Sequence, residues 1–142
     1  MEQVTLKEYG DAVVECIKLA RQGTSGGRAA AQALLSAYNG SEFQLNVVDL
    51  CSLDQKNYQI VLMVIRGRYE TGREPHNLVE DGSKIFRELW DQWIRLHVKE
   101  RGKEECPDCD GHGKLWTNPD DDNDTKECPR CKGKGRICGC GR

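Results

Sequence analysis

Two stretches of this chain, CPDCDGHG from Cys106 and CPRCKGKG from Cys128, write the same pattern, Cys-x-x-Cys-x-Gly-x-Gly. A Cys-x-x-Cys pair sets two thiolates on one tight turn, where backbone amides can donate to the sulfurs and one metal ion can be gripped. Two such pairs complete a tetrahedral shell. Cys106, Cys109, Cys128 and Cys131 follow this plan, with 18 residues between the pairs. Four soft sulfurs without a redox partner motif favour zinc over magnesium or calcium. A shell of four thiolates also leaves no open position for a substrate water. One structural zinc ion is therefore expected.

Further groups near these pairs each carry two readings. Cys138 and Cys140, in CGCG, could furnish a second, partial metal site with His112, or form a free terminus. The acidic run Asp120, Asp121, Asp122, Asn123, Asp124 looks like a calcium loop but lacks its central glycine and terminal glutamate, so a solvated hairpin tip is expected. Arg130, Lys132, Lys134 and Arg136 form a basic cluster that could meet phosphates. His76 reads as a turn residue, His97 as a helix-face residue, and Cys51, beside Leu50 and Leu53, as a buried thiol.

Composition bounds the function classes. The 142 residues hold 21 Lys or Arg and 23 Asp or Glu, a formal net charge of -2, which gives no support to indiscriminate coating of nucleic acid. The charge is split, however: the segment from 101 to 127 is acidic, whereas residues 128–142 carry five basic residues and no acid. MEQVTLKEYG holds no apolar core, so it does not read as a secretory signal, and the longest apolar run, IVLMVI, is too short to cross a bilayer. A cytoplasmic protein with no membrane partner is expected, and in that reducing compartment the cysteines point to metal rather than disulfides. GTSGGR lacks the lysine of a phosphate-cradling loop and there is no zincin-like histidine pair, so no enzyme is expected.

The elements upstream read as helices. Thr5 and Glu8 make a capping box for a helix over about 5–21, with Tyr9, Val13, Cys16, Ile17 and Ala20 at helical spacing. A second helix is expected from Gly27 to Tyr38, and a third, capped by Asp54, through QKNYQIVLMVIRGRYETG. The third is apolar on nearly every face and so central to the core. A fourth, through KIFRELWDQWIRLHVKER, lines up Ile85, Phe86, Leu89, Trp90, Trp93, Leu96 and His97 and should pack on the third. Residues 41–53 are ambiguous, with a strand or short hairpin possible near 43–48. The expectation is a mainly α protein: a small four-helix domain over 1–100, then a zinc-binding β-hairpin of knuckle or ribbon type over 101–142.

CPDCDGHG and CPRCKGKG each resemble one repeat of the cysteine-rich module of the DnaJ co-chaperones, in which four repeats form two zinc-bearing β-hairpins. Two repeats imply one centre. The chain lacks the His-Pro-Asp signature of the J-domain, so the resemblance covers about residues 106–135 and carries no co-chaperone function. The paired repeats with a longer insert are also similar to the zinc motif of phage Q-type antitermination proteins, which bind DNA and RNA polymerase. Upstream, AAAQALLSAYNG, VVDLCSLD, NYQIVLMVIRGR, EPHNLVEDG and LWDQW resemble a family of small uncharacterised proteins carried by phages, plasmids and integrated elements, over about residues 28–93. That resemblance implies a mobile-element setting. Three function classes follow: an inhibitor or adaptor, including an anti-defence factor, that binds a host protein complex; a nucleic-acid-binding transcription regulator; and a zinc-stapled structural protein. The split charge favours the first.

Overall fold

The computed structural model describes residues 2–101, 103–118, 120–121 and 123–138. The chain divides into two compact units, Met1–Lys99 and Glu100–Arg142. All four α-helices, α1 (Leu6–Ala20), α2 (Ser25–Tyr38), α3 (Gln55–Thr71) and α4 (Gly82–Gln92), lie in the first. None of them is long and apolar enough to cross a membrane.

Local chemistry sets most helix ends. Thr5 and Glu8 form the expected box: the Glu8 amide donates to Thr5 Oγ1 at 3.1 Å and the Thr5 amide to Glu8 Oε2 at 2.9 Å. Thr24 caps α2, which begins at Ser25, two residues before the anticipated start, by accepting from the Gly27 amide at 3.0 Å. Asp54 caps α3 through the Asn57 amide at 2.7 Å, and Gly72, at φ +71°, ends it in the left-handed conformation that glycine adopts without a Cβ clash.

α1, α2 and α3 pack on one another. α1 buries Tyr9, Val13, Cys16, Ile17 and Ala20, its predicted face, against the alanines and leucines of α2. Gly67 of α3 sits directly on the Tyr9 ring, where an added Cβ would fall among the ring carbons. The Tyr9 hydroxyl donates to Arg73 O at 2.9 Å.

Several expectations for this unit are corrected. α3 is not buried on every side: Val61, Val64 and Gly67 are buried, while Tyr58 and Tyr69 are exposed, because α1 and α2 cover one flank only. α4 ends at Gln92, not near 101, and packs on α2 and a short 3-10 turn, Pro75–Leu78, since α1 already occupies α3. The cause is Trp93. It leaves helical geometry, buries its indole and donates Nε1–H to Ala20 O at 2.8 Å, closing the end of α1. Finally, residues 43–48 form no hairpin. Phe43 makes a single antiparallel bridge to His97, and Val47–Ser52 is a 3-10 helix held by Asp49, which accepts from Arg28 Nε (3.2 Å) and the buried Gln32 Nε2 (2.5 Å).

His97, expected on a helix face, is buried beyond the end of α4. Its Nε2 pairs with the Glu42 carboxylate, its Nδ1 accepts from the Lys99 amide at 3.1 Å, and its ring stands edge-on to Phe43. His76 lies in the Pro75–Leu78 turn, edge-on to Tyr38. Cys51, expected to be buried, is exposed, because the 3-10 turn points it outward.

In the second unit, four three-residue strands make two antiparallel pairs. β2 (Lys114–Trp116) pairs with β3 (Thr125–Glu127), the hairpin whose loop carries the aspartates. β1 (Lys103–Glu105) pairs with β4 (Arg136–Cys138) and joins the unit's two ends.

Candidate metal centre

The two Cys-x-x-Cys-x-Gly-x-Gly repeats fold into two knuckles whose backbone hydrogen bonds and amide-to-sulfur bonds match pairwise. The Gly111 amide donates to Cys106 O at 3.2 Å, and the Gly133 amide to Cys128 O at 3.3 Å. The Gly113 amide donates to Cys109 Sγ, and the Gly135 amide to Cys131 Sγ, both at 3.2 Å. Each knuckle also locks the other: the Cys106 amide donates to Gly135 O at 2.9 Å and the Cys128 amide to Gly113 O at 3.1 Å.

The repeated glycines now have a physical reason. Gly113 and Gly135 have φ of +79° and +77°, and a Cβ on either would press on the backbone of the opposite knuckle, at Gly133 and Gly111 respectively. Only glycine satisfies both demands. Asp110 and Lys132, in the tight turns between the second cysteine and the glycines, also take positive φ, +51° and +55°.

This arrangement brings Cys106, Cys109, Cys128 and Cys131 together. All four are buried, at most 4% exposed, and their sulfurs lie within 4.8 Å of one another. Across the knuckles Cys106 Sγ is 3.8 Å from Cys128 Sγ, and Cys109 Sγ is 3.7 Å from Cys131 Sγ. A tetrahedron with metal–sulfur bonds of about 2.3 Å has edges of about 3.8 Å, so the two cross-knuckle separations match those of a four-coordinate site, and the remaining ones do not exceed 4.8 Å. They can bind one metal ion. Leu115 and Ile137 are the partly buried apolar side chains that pack against the sulfurs.

The thiols do not titrate alike. Burial pushes Cys106 up to about 11, against the pull of the Asp108 and Cys109 amides. Burial opposes the Cys131 thiolate too, but the Gly135 amide and hydrogen bonds from the other three cysteines outweigh it and bring Cys131 down to about 7. Of these two sulfurs, the one that loses its proton more readily, Cys131, sits under a donated amide. Outside the cluster, burial pushes Cys16 up to about 12.

The remaining candidates scatter. His112 is exposed, its ring edge-on to Trp116 at 5.1 Å, and among the described residues the groups able to hold an ion comprise the four cysteines without it. Cys138 lies in β4, with only its backbone described, and Cys140 falls outside the described residues. Of the basic cluster, Arg130 pairs with Asp108 at 3.3 Å across the knuckles and Arg136 donates to Lys103 O at 2.9 Å, whereas Lys132 and Lys134 are exposed. Asp120, Asp121 and Asp124 are exposed in the β2–β3 loop, where the Asp124 carbonyl accepts from both the amide and the hydroxyl of Thr117 at 2.9 Å. Asp122 lies outside the described residues. Sequence reading missed Trp116, 43% exposed, with Lys114 Nζ 5.6 Å from its ring centre; its alternation with Leu115 along a strand was the available signal.

Fold and site together define a helical unit followed by a four-cysteine knuckle able to hold a metal ion. The chain belongs to a family of unknown function, DUF7673, whose model matches residues 10–94, more than half of its length. The match falls within the helical unit and leaves the cysteine-rich unit outside it. No curated protein and no solved structure matches the chain.

Proposed function

We propose that this is a non-enzymatic zinc protein of a mobile genetic element that works in the cytoplasm by binding a host protein complex, as an inhibitor or adaptor that can blunt host defence. The observation that carries the metal reading is the pair of cross-knuckle sulfur distances, 3.8 and 3.7 Å, among four buried thiols. A tetrahedral all-sulfur site suits zinc or iron, and zinc needs no redox partner. With four protein ligands the ion acts as a staple.

Engagement of the basic cluster within the knuckle supports a protein partner over nucleic acid. With Arg130 spent on Asp108 and Arg136 on a backbone carbonyl, Lys132 and Lys134 are left to meet phosphates, while Asp120, Asp121 and Asp124 repel a polyanion. The mobile-element setting rests on the resemblance of residues 28–93 alone. Elemental analysis of the purified chain tests the metal: about one zinc per chain is expected, and iron or no metal refutes the reading. Capture of a host complex from bacterial lysate, weakened by charge reversal at Asp120, Asp121 and Asp124, tests the partner. Submicromolar, zinc-dependent binding to DNA or RNA in a polarisation assay at physiological salt would instead establish the regulator reading.

A further inference from the structure

One face of α3 is apolar and only partly covered. Tyr69 is 89% exposed, the highest value among the exposed large apolar residues described, and Tyr58, on the same face, is 37% exposed. Between them on that face lie Leu62 and Ile65, both half-buried, Ile65 in part by the core of its own unit. The four residues are spaced 4, 3 and 4 apart, the alternation that keeps apolar side chains on one seam of a helix facing another helix. The opposite flank of α3 is already used by Val61, Val64 and Gly67 against the core of its own unit.

The stripe is also its own mirror in chain order. Tyr58 and Tyr69, and Leu62 and Ile65, are placed symmetrically about the midpoint of the helix. When two copies of α3 pack antiparallel about a two-fold axis at that midpoint, Tyr58 meets the second copy's Tyr69 and Leu62 its Ile65. A two-fold interface demands this self-complementarity, with residue i on j and j on i. Charge agrees. Asp54, at the start of α3, and Arg73, just past its end, are placed symmetrically about the same midpoint, and both are exposed. Antiparallel pairing brings the second copy's guanidinium towards each carboxylate, which also accepts from Asn57 of its own helix, at both ends of the seam. Opposed helix dipoles add to the attraction.

We propose that α3 is the self-association surface of this protein, and that its occupant is α3 of a second copy, packed antiparallel through Tyr58, Leu62, Ile65 and Tyr69. This interface is independent of the metal reading. Its size sets its strength. A tyrosine covers on the order of 200 Å² when buried, so the stripe contributes a few hundred Å² per chain, below the roughly 800 Å² of a standard stable interface. The dimer is therefore weak and concentration-dependent, micromolar rather than nanomolar.

Sedimentation equilibrium of the full metal-loaded chain tests this directly. The mass should rise from 16.0 kDa towards twice that value as concentration is raised. Tyr69→Lys should abolish the rise while leaving the helical circular dichroism unchanged, because the side chain is 89% exposed in the single chain. Arg73→Glu, which sets an acid against Asp54, should weaken association about fivefold, and Arg73→Lys should preserve it. A monomer at every concentration up to about 0.5 mM, well above a micromolar dissociation constant, overturns the proposal. So does a dimer that survives both Tyr69→Lys and Ile65→Lys.

Discussion

Replacing Gly135 by alanine tests the interlocked knuckles most sharply, because the structure separates two costs that the change combines. The first is conformational: at φ +77° a Cβ costs roughly 1–2 kcal/mol. The second is steric: the added carbon presses on the Gly111 carbonyl of the opposite knuckle, a backbone atom that cannot swing aside, and overpacking of this kind costs about 1–3 kcal/mol. Where metal binding and folding of a small unit are one event, as the proposed zinc staple implies, the sum, about 2–5 kcal/mol, appears in metal affinity. This is a loss of about thirtyfold to a few thousandfold. Gly113→Ala should match it, since its Cβ would meet Gly133 O at 2.5 Å. Gly111→Ala and Gly133→Ala carry the conformational cost but meet only the side chains of Glu105 and Glu127, at 3.3 and 3.1 Å, which can move. They should lose about fivefold to thirtyfold, from the 1–2 kcal/mol of positive φ alone. Competition of each apo variant against a chromogenic chelator ranks the four. Wild-type affinity in Gly135→Ala, or a Gly111→Ala loss equal to that of Gly135→Ala, would show that the knuckles do not lock through these carbonyls.

Chelating the metal should abolish the amide dispersion of residues 103–138 in NMR spectra while the far-ultraviolet helical signal persists, because α1 to α4 all lie in the other unit; loss of the helical signal would tie the two units into one folding event. Glu70 accepts from the Val4 amide at 3.0 Å and from Arg66, and these bonds, the amide first, hold its carboxyl below the usual carboxylate range. A lowered folded-state pKa gives stability that is present above the ordinary carboxylate pKa and lost as pH falls through the folded value. Thermal unfolding should therefore show Glu70→Gln with a flatter acid limb than wild type; identical limbs would refute the assignment. Gly67→Ala drives a methyl into the Tyr9 ring and should lower stability to urea by about 1–3 kcal/mol, whereas alanine at most helix positions is neutral or better.

The helical unit was legible where the signal is local. Thr5 with Glu8, Asp54, and Gly72 set helix ends through side-chain and backbone chemistry within four residues, and such chemistry can be read along a chain. The end of α4 could not be. WIRLHVKER contains no proline or glycine, and its periodicity would carry a helix onward. What stops it is the Nε1–H of Trp93 reaching Ala20, a partner 73 residues away, together with His97 turning to Glu42. Tertiary partners outweigh propensity here, as they do at Phe43, whose β character yields one bridge and no hairpin. The apolar surround of α3 was visible as well, but not which side would stay open. That depends on α1 taking the flank at Gly67, a packing fact without a sequence period.

The metal site was legible for the opposite reason: its code is short and written twice. Two thiols on a turn need donated amides at fixed offsets, and each amide must come from a residue at positive φ, so cysteine and glycine positions fix one another within eight residues. Duplication then supplies the second half of the shell, and the matched backbone bonds between the repeats make each knuckle the other's wall. The same geometry divides the basic cluster, leaving Lys132 and Lys134 exposed while Arg130 and Arg136 have partners within the unit. Arg130 and Arg136 read as free charge in one dimension, yet Asp108 and Lys103 stand opposite them only because the knuckles face each other. On the proposed adaptor reading, the charges of this unit left to meet a partner are the exposed Lys132 and Lys134 of one knuckle and the exposed aspartates of the β2–β3 loop. Charge reversal at Lys132 with Lys134 should alter capture of that partner more than the same reversal at Arg136, whose guanidinium is held on Lys103 O; equal effects would show that Arg136 leaves its carbonyl to bind.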